Sequence, residues 1–85
     1  MRNVKFTPAG WEDFVHWQNT DKKTVKRIND LIKDCQRSPH DGIGKPEPLK
    51  GNLSGWWSRR INDADRMVYR ADDTTLEIAS LRYHY

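Results

Sequence analysis

The chain has 85 residues, a length that accommodates one domain with a single thin hydrophobic core. Its formal net charge is +3, from 15 basic and 12 acidic residues, which gives weak support to a polyanionic partner. No apolar run approaches the ~18 residues of a membrane span, and no signal-peptide core follows Met1. Cys35 is the single cysteine, which leaves no intramolecular disulfide and agrees with a reducing compartment. We therefore predict a cytoplasmic protein without membrane association.

The N-terminal part of the chain predicts a short strand followed by a helix. Polar and apolar residues alternate over 3–6, which is typical of a strand. Thr7 and Pro8 then provide a hydroxyl N-cap and a proline at the first helical position. Gly10 weakens this helix, so we expect packing to support it. Its predicted apolar face consists of Trp11, Phe14 and Val15.

A second helix is predicted from about 21 to 37, with Asn19 and Thr20 breaking the first pattern and capping the second. Its apolar residues recur with a 3.6-residue period: Val25, Ile28, Leu31, Ile32 and Cys35. The other face is charged, and its composition favours a solvated surface over a nucleic-acid-binding one. Ser38 and Pro39 end the helix. The two helices are therefore expected to form an antiparallel hairpin with one shared apolar side.

The C-terminal half predicts a loop and then three strands. Residues 38–55 are rich in proline and glycine and are expected to form an ordered loop. Strands follow at about 55–61, 66–71 and 75–83, separated by polar turns at 62–65 and 72–74. A strand, two helices and an antiparallel three-strand meander predict an α+β sandwich with both helices on one sheet face. We expect one domain over residues 1–85.

Residues 45–60 concentrate positive charge around one carboxylate. Glu47 stands between two prolines, and the other charged residues of this range are all basic: Lys45, Lys50, Arg59 and Arg60. We interpret this pattern as a basic cleft. From spacing alone, Glu47 and Lys50 could also be a solvent-exposed pair in a loop without a functional role.

Strand alternation suggests which side chains share a face. Arg60 alternates with Ser58, and Arg66 alternates with Val68 and Arg70. In the last strand the alternating set is Leu76, Ile78, Ser80, Arg82 and His84. If the register brings these faces together, Arg60, Arg66 and His84 meet on one surface. Alternatively, Arg60 and Arg66 are ordinary surface arginines, and His84 lies at a frayed chain terminus without a functional role.

Such a set is suited to cleaving RNA. A carboxylate and a histidine on opposite sides of a phosphodiester can act as general base and general acid, and arginines can stabilise charge on the phosphoryl oxygens. RNA supplies its own nucleophile, the 2′-hydroxyl, so the chemistry requires neither a metal nor a nucleophilic side chain. Four aromatic side chains could stack on unpaired bases: Trp56, Trp57, Tyr83 and Tyr85. Of these, Trp57 is the one expected to lie in the core, because of its position in the strand alternation.

The segment GKPEPLKGNLSGWWSRRINDADRMVYR and the terminal RYHY closely resemble the YoeB-type toxins of bacterial toxin–antitoxin modules, in the RelE/ParE superfamily. The likeness covers nearly the whole chain and includes WQNTDKKTVKRINDLIKD in the helical part. It implies a RelE-like fold and an mRNA interferase that cleaves messenger RNA in the ribosomal A site without metal or cofactor, leaving a 2′,3′-cyclic phosphate and a 5′-hydroxyl. It also implies neutralisation by a YefM-like antitoxin, and it leaves a homodimer open.

The resemblance assigns roles to individual residues. The general base of the family falls on Glu47, the general acid on His84 and the phosphate-binding arginine on Arg66. Lys50 and Arg60 match supporting cations.

The remaining assignments concern the chain end and one departure. Tyr85 matches the functional terminal aromatic of the family. Asp65 departs from the pattern, since the family often has histidine just before the arginine. It could place a carboxylate near Arg66, but its turn position favours a surface role.

Two other function classes compete with cleavage. One is a non-catalytic toxin of the same fold, as in the gyrase-poisoning ParE branch, which would not need both Glu47 and His84. The other is an RNA-binding module in which the same cations only hold phosphates. A ribosome-programmed cleavage assay separates these from an endoribonuclease.

Overall fold

A computed structural model of the chain describes residues 1–83. Its helices and strands follow one another as β1 (Asn3–Phe6), α1 (Pro8–Thr20), α2 (Lys22–Arg37), β2 (Glu47–Pro48), β3 (Trp57–Arg60), β4 (Arg66–Ala71) and β5 (Thr75–Ser80). The strands form one sheet in the order β1-β5-β4-β3-β2. The predicted α+β architecture is therefore confirmed, and the antiparallel meander of β3, β4 and β5 lies at its centre.

The sheet is wider than the predicted meander because both edges are extended. β1 pairs with β5 in parallel, with Asn3 opposite Thr75 and Phe6 opposite Ile78. β2, which falls within the predicted loop, pairs antiparallel with β3. β5 ends at Ser80, short of the predicted residue 83. Both additions are pairings that sequence periodicity does not specify, since each depends on where a distant strand lies.

Helix α1 begins as predicted and lies very close to β5. The Thr7 hydroxyl accepts a hydrogen bond from the Gly10 N–H at 3.1 Å, with Pro8 in the first turn. A Cβ atom on Gly10 would lie 2.5 Å from the Ile78 carbonyl oxygen. The glycine is therefore required by the close packing of helix against strand. Trp11 differs from the prediction: it is 51% exposed, and its ring contacts Phe6 from outside the core.

The predicted cap of α2 is wrong by one residue. Helix α1 continues through Thr20, and Asp21 is the N-cap, accepting hydrogen bonds from the N–H groups of Lys23 and Thr24. Bonds from the Thr24 side chain and backbone hold the pKa of the Asp21 carboxyl below its usual value. Of the five predicted apolar residues of this helix, Val25 is partly buried. The other four are buried: Ile28, Leu31, Ile32 and Cys35.

The core lies between the helices and one face of the sheet. Met67 and Tyr69 of β4 pack in one cluster with Leu31 and other residues of α2, and we call the sheet face that they share the helix face. Because side chains alternate along a strand, Arg66 and Val68 lie on the other side, which we call the opposite face. Neither helix in residues 1–83 is long and apolar enough to cross a membrane.

Arg59, predicted as part of the basic cleft, lies instead in the core on the helix face. It is 0% exposed, and its Nη1 forms an ion pair with the Asp34 Oδ2 at 2.6 Å. Its five N–H donors reach the Tyr69 hydroxyl, Asp34 and the carbonyl oxygens of residues 38, 41 and 43. The Arg59 hydrogen bond holds the pKa of Asp34 below its usual value, against the effect of burial. Arg59 therefore fastens the 38–44 loop to the sheet.

Candidate active site

The register of β2, β3 and β4 brings the predicted base and two predicted cations to one sheet face. Glu47 is opposite Ser58, Ser58 is opposite Val68, and Arg60 is opposite Arg66. Paired residues point to the same side, so these side chains all belong to the opposite face. Glu47 lies two strands across and two residues along from Arg66, which corresponds to a Cα separation of about 12 Å. Two long side chains can span that distance around a phosphate.

The two arginines are directly opposite one another. Arg60 is exposed, and its backbone is held by a 2.7 Å hydrogen bond from its N–H to the Gly44 carbonyl. Gly44 has φ 79°, a backbone conformation that glycine adopts without steric cost. Within residues 1–83 neither Arg60 nor Arg66 forms an ion pair. Like charges directly opposite one another are unfavourable, so an anion bound here would relieve that repulsion.

Arg66 is held in place by the turn that precedes it. It is 7% exposed, and its Nη1 donates to the carbonyl oxygens of Asn62 at 2.6 Å, Asp65 at 3.1 Å and Asp63 at 3.3 Å. The contacts fix one end of the planar guanidinium. An arginine whose orientation is set beforehand loses little entropy when it binds a planar or tetrahedral anion.

Glu47 and Lys50 lie at the rim of a shallow depression. Both side chains are exposed, and a cavity of about 360 Å³ is lined by Glu47, Pro48, Leu49, Lys50 and Leu53. Leu49 is buried, and its N–H donates to the Trp56 carbonyl at 2.9 Å, which anchors the segment. Pro48 is accommodated because β2 is an edge strand. The flanking prolines and the Leu49 anchor hold the Glu47 backbone in place at the sheet edge.

The predicted alternation of β5 is broken by a bulge. Tyr69 is opposite Ile78 and Val68 is opposite Ser80, so Ala79 is an extra residue on β5. Up to Ile78 the strand follows the predicted parity, with Leu76 and Ile78 buried on the helix face. Ser80 therefore shares the opposite face with Val68, and the prediction that Leu76, Ile78 and Ser80 share a face is wrong.

Hydrogen bonds fasten Ala79, near the end of β5, and Leu81, just after it. The Thr7 hydroxyl donates to the Ala79 carbonyl, the Asp13 carboxylate accepts from the Leu81 N–H, and the Trp17 indole donates to the Leu81 carbonyl. These bonds, all 2.9–3.0 Å long, join the terminal segment to α1 and its N-cap. They direct the chain across the end of the sheet toward the start of β4.

The terminal segment then reaches Arg66. The Tyr83 carbonyl accepts a 3.2 Å hydrogen bond from the Arg66 N–H, and the Tyr83 N–H donates to the Asp65 Oδ1 at 2.7 Å. The predicted acid, His84, and the predicted aromatic, Tyr85, lie outside the described residues. The backbone that precedes them is thus beside the predicted phosphate-binding arginine.

The aromatic side chains divide between the two faces. Trp57 packs against the core, as predicted, and stacks on His40 with ring centroids 4.2 Å apart. Trp56 lies beneath the Arg70 guanidinium at 4.4 Å, and Arg70 also pairs with Glu77 at 2.7 Å. A base stacking on Trp56 would therefore have to share or displace Arg70, while Tyr83 is 65% exposed.

The described part of the chain has no clustered metal ligands and a single thiol. Residues 1–83 contain no cluster of three or more His, Cys, Asp or Glu side chains arranged to hold a metal ion. Cys35 is buried, and its burial raises the pKa of the thiol to about 11. Its low thiolate population makes it an inert core residue.

Sequence reasoning missed two features that shape this site. The buried role of Arg59 could have been suspected from parity alone, because it alternates with Trp57, the expected core residue, and with the apolar Ile61. The Asp65 contact with Tyr83 had no comparable signal, since 18 residues separate the two groups. Only the fold brings a turn aspartate to the end of the last strand.

Comparison with known proteins gives a consistent family. Residues 6–85 match the family described as the YoeB-like toxin of bacterial type II toxin–antitoxin systems. The chain is 60% identical over 80 residues to the toxin YoeB of Escherichia coli (strain K12), covering 94% of this chain and 95% of that protein.

Solved structures agree with the sequence comparison. The YoeB dimer from Staphylococcus aureus superposes with a TM-score of 0.92 at 50% identity, covering 99% of this chain and 98% of that one. A YoeB–YefM complex from the same organism gives a TM-score of 0.91 at 49% identity, with coverage of 100% and 99%.

Proposed function

This chain belongs to the YoeB-like toxins of bacterial type II toxin–antitoxin systems, and from that premise we propose that it is a ribosome-dependent mRNA interferase. The proposed reaction is endonucleolytic cleavage of messenger RNA in the ribosomal A site, which stops translation. The observation that supports it is the register of β2, β3 and β4, which brings Glu47, Arg60 and Arg66 to one sheet face. The protein would act in the cytoplasm, where the translated message is found.

In the proposed mechanism Glu47 is the general base. Its carboxylate takes the proton of the RNA 2′-hydroxyl, and the 2′-oxygen attacks the adjacent phosphorus. A bond from phosphorus to the 2′-oxygen forms as the bond to the 5′-oxygen breaks. His84 gives a proton to the departing 5′-oxygen, so the products are a 2′,3′-cyclic phosphate and a 5′-hydroxyl. General acid and base groups each contribute roughly 10²–10⁴-fold to such reactions.

Arginine side chains stabilise the charge that develops on the phosphoryl oxygens. Arg66 is suited to this task because the 62–65 turn orients its guanidinium through Nη1, and the phosphate would bind to the remaining donors. Arg60, directly opposite, adds a second positive charge. Lys50 would hold the RNA backbone beside Glu47, and Tyr85 would stack on a base. The scheme needs no metal and no cofactor, so we expect cleavage to withstand EDTA once ribosome integrity is controlled.

We also propose a YefM-like antitoxin as the neutralising partner. The Staphylococcus aureus relative was solved in a YoeB–YefM complex and as a YoeB dimer. At about half identity over the whole chain, an equivalent antitoxin and a homodimer are the expected assemblies here.

The Glu47→Gln variant tests the proposal. Glutamine keeps the size of the side chain but cannot accept the 2′-hydroxyl proton, so cleavage should fall by roughly 10²-fold or more while ribosome binding persists. Glu12, exposed on α1, provides the matched control as Glu12→Gln. The measurement is primer extension on a translated message, with co-sedimentation to follow ribosome binding.

The outcome also separates the competing functions. Wild-type protein that protects the message without creating new 5′ ends would indicate a binding module and contradict the proposal. A Glu47→Gln variant with full activity would remove Glu47 as the base.

A further inference from the structure

We propose that Asp65 is a positioning residue, whose carboxylate fixes the backbone of Tyr83, the residue that precedes the proposed acid. This inference rests on the proposed function, because it concerns the placement of the proposed acid. The proposed role gives Asp65 no contact with substrate. It acts through the backbone of Tyr83, which its Oδ1 holds at 2.7 Å.

The backbone of Tyr83 is held from two sides. Its N–H donates to the Asp65 carboxylate, and its carbonyl accepts from the Arg66 N–H at 3.2 Å. Tyr83 has φ 65°, in the left-handed region that a non-glycine residue enters only at a steric cost. Such a conformation persists when surrounding contacts hold it. The Asp65 bond, to a charged acceptor, is the stronger of the two constraints.

Asp65 can act as a constraint because the turn that carries it is itself rigid. Its carbonyl accepts hydrogen bonds from the N–H groups of Ile61 at 3.0 Å and Asn62 at 3.3 Å. The Asn62 side chain accepts from the N–H groups of Ala64 and Asp65, both at 2.8 Å. The guanidinium of Arg66 adds its bonds to the turn carbonyls. The same short segment therefore orients the arginine and fastens the chain end.

The two hydrogen bonds to the Tyr83 backbone, which we call the clamp, lie next to the proposed acid in the sequence. Residue 84 directly follows the clamped residue, so rotation about the backbone of Tyr83 changes where the proposed acid lies. Tyr83 is 65% exposed, and its hydroxyl accepts from the Arg82 Nη2, so the side chain contacts its sequence neighbour. Core packing does not hold the side chain of this residue, which leaves its orientation to the backbone bonds. A displacement of about 1 Å at a reacting group can cost 10²-fold in rate.

Two conservative substitutions distinguish positioning from charge. Asp65→Asn keeps an oxygen acceptor at the same distance from the backbone and removes the negative charge. Asp65→Glu keeps the charge and moves the acceptor by one methylene. Asp63→Asn is the control, since Asp63 is exposed in the same turn and its contact with Arg66 uses only its carbonyl.

Positioning predicts that kcat falls by roughly tenfold in Asp65→Glu, the factor that corresponds to about 1.4 kcal/mol in the barrier. KM should stay within twofold, and Asp65→Asn should stay within about threefold of wild type in both constants. Single-turnover cleavage of a message on programmed ribosomes gives these values. Thermal melting of each variant shows whether it is folded at the assay temperature.

An NMR measurement tests the clamp without relying on activity. The heteronuclear ¹⁵N–¹H NOE of the Tyr83 amide should fall in Asp65→Glu and remain at the wild-type value in Asp65→Asn and Asp63→Asn. A wild-type protein that cuts no message would defeat the proposed function, and the NOE would then decide the positioning by itself. A kcat loss in Asp65→Asn together with wild-type kcat in Asp65→Glu would assign the effect to charge. That result, or an unchanged NOE in Asp65→Glu, would overturn the inference.

Discussion

Arg59 and Arg60 are neighbours in β3, yet they lie on opposite faces of the sheet and in opposite environments. Arg59 is 0% exposed on the helix face, with all five N–H donors used by a carboxylate, a hydroxyl and three carbonyls. Arg60 is exposed on the opposite face, directly across from Arg66. Within residues 1–83, neither Arg60 nor Arg66 has an ion-pair partner. One face uses arginine to hold the fold, and on the other we propose that it binds an anion.

The difference teaches how a small domain separates stability from chemistry. A buried arginine is tolerated because Asp34 and the loop carbonyls replace the water that it loses. On the opposite face, Arg60 and Arg66 form no ion pair within residues 1–83, and we propose that this leaves their charge available to a phosphate. We therefore expect substitutions on the helix face to reduce stability, and substitutions on the opposite face to reduce cleavage.

Deletion of His84 and Tyr85 should give the largest loss of cleavage with the smallest change in stability. Removing the proposed acid should reduce cleavage by about 10²–10⁴-fold. The melting temperature should change little, because Leu81 is buried and bonded through both its N–H and its carbonyl. Primer extension on a translated message and circular dichroism measure the two effects. A truncated protein that cuts at a comparable rate would refute the assignment of His84.

Arg59→Ala should have the opposite effect. It leaves the Asp34 carboxylate and several loop carbonyls without their donor, and breaking a buried ion pair costs about 3–5 kcal/mol. The free energy of unfolding, measured by urea titration, should fall by that amount. The matched control is Arg60→Ala, an exposed site that should change stability by about 0.5 kcal/mol or less. Similar losses in both variants would show that the two faces are not distinct.

Arg66→Ala should show a smaller and mixed effect. Loss of the proposed phosphate contact should lower cleavage by roughly 10²-fold, equivalent to about 2.7 kcal/mol. The variant also loses the Nη1 bonds to the turn, so we expect about 1–2 kcal/mol of destabilisation. Arg70→Ala is the control, because Arg70 lies at the far end of β4 and pairs with Glu77. Equal losses of cleavage from both would mean that the phosphate site is elsewhere.

Much of the fold could be predicted because its signals are local. The Thr7–Pro8 helix start depends on neighbouring residues, and the apolar face of α2 depends on a 3.6-residue period. The polar turns at 62–65 and 72–74 could also be predicted, since asparagine and aspartate side chains accept hydrogen bonds from nearby backbone N–H groups. Asn62 and Asp72 do so here. The candidate residues Glu47, Arg60 and Arg66 came from local charge and from the family resemblance.

The remaining features could not be predicted from the sequence because they depend on distant segments. The bulge at Ala79 shifts the parity of β5, so Ser80 lies on the opposite face although alternation assigned it to the face of Ile78. The parallel pairing of β1 with β5 joins residues about 70 positions apart. Neither the bulge nor the parallel pairing changes the pattern of polar and apolar residues in the strand that forms it.

The sequence by itself determined the two helices, the central strands and the apolar face of α2, and the family resemblance supplied the candidate site residues. The tertiary structure decided where Arg59 and Asp65 act. Arg59 became a core residue because Asp34 and the 38–44 loop surround it with acceptors. Asp65 became an anchor because the segment after β5 passes within hydrogen-bonding distance of its carboxylate at Tyr83. Charge and periodicity are properties of single segments, whereas the partner of a charged group is set by how segments pack.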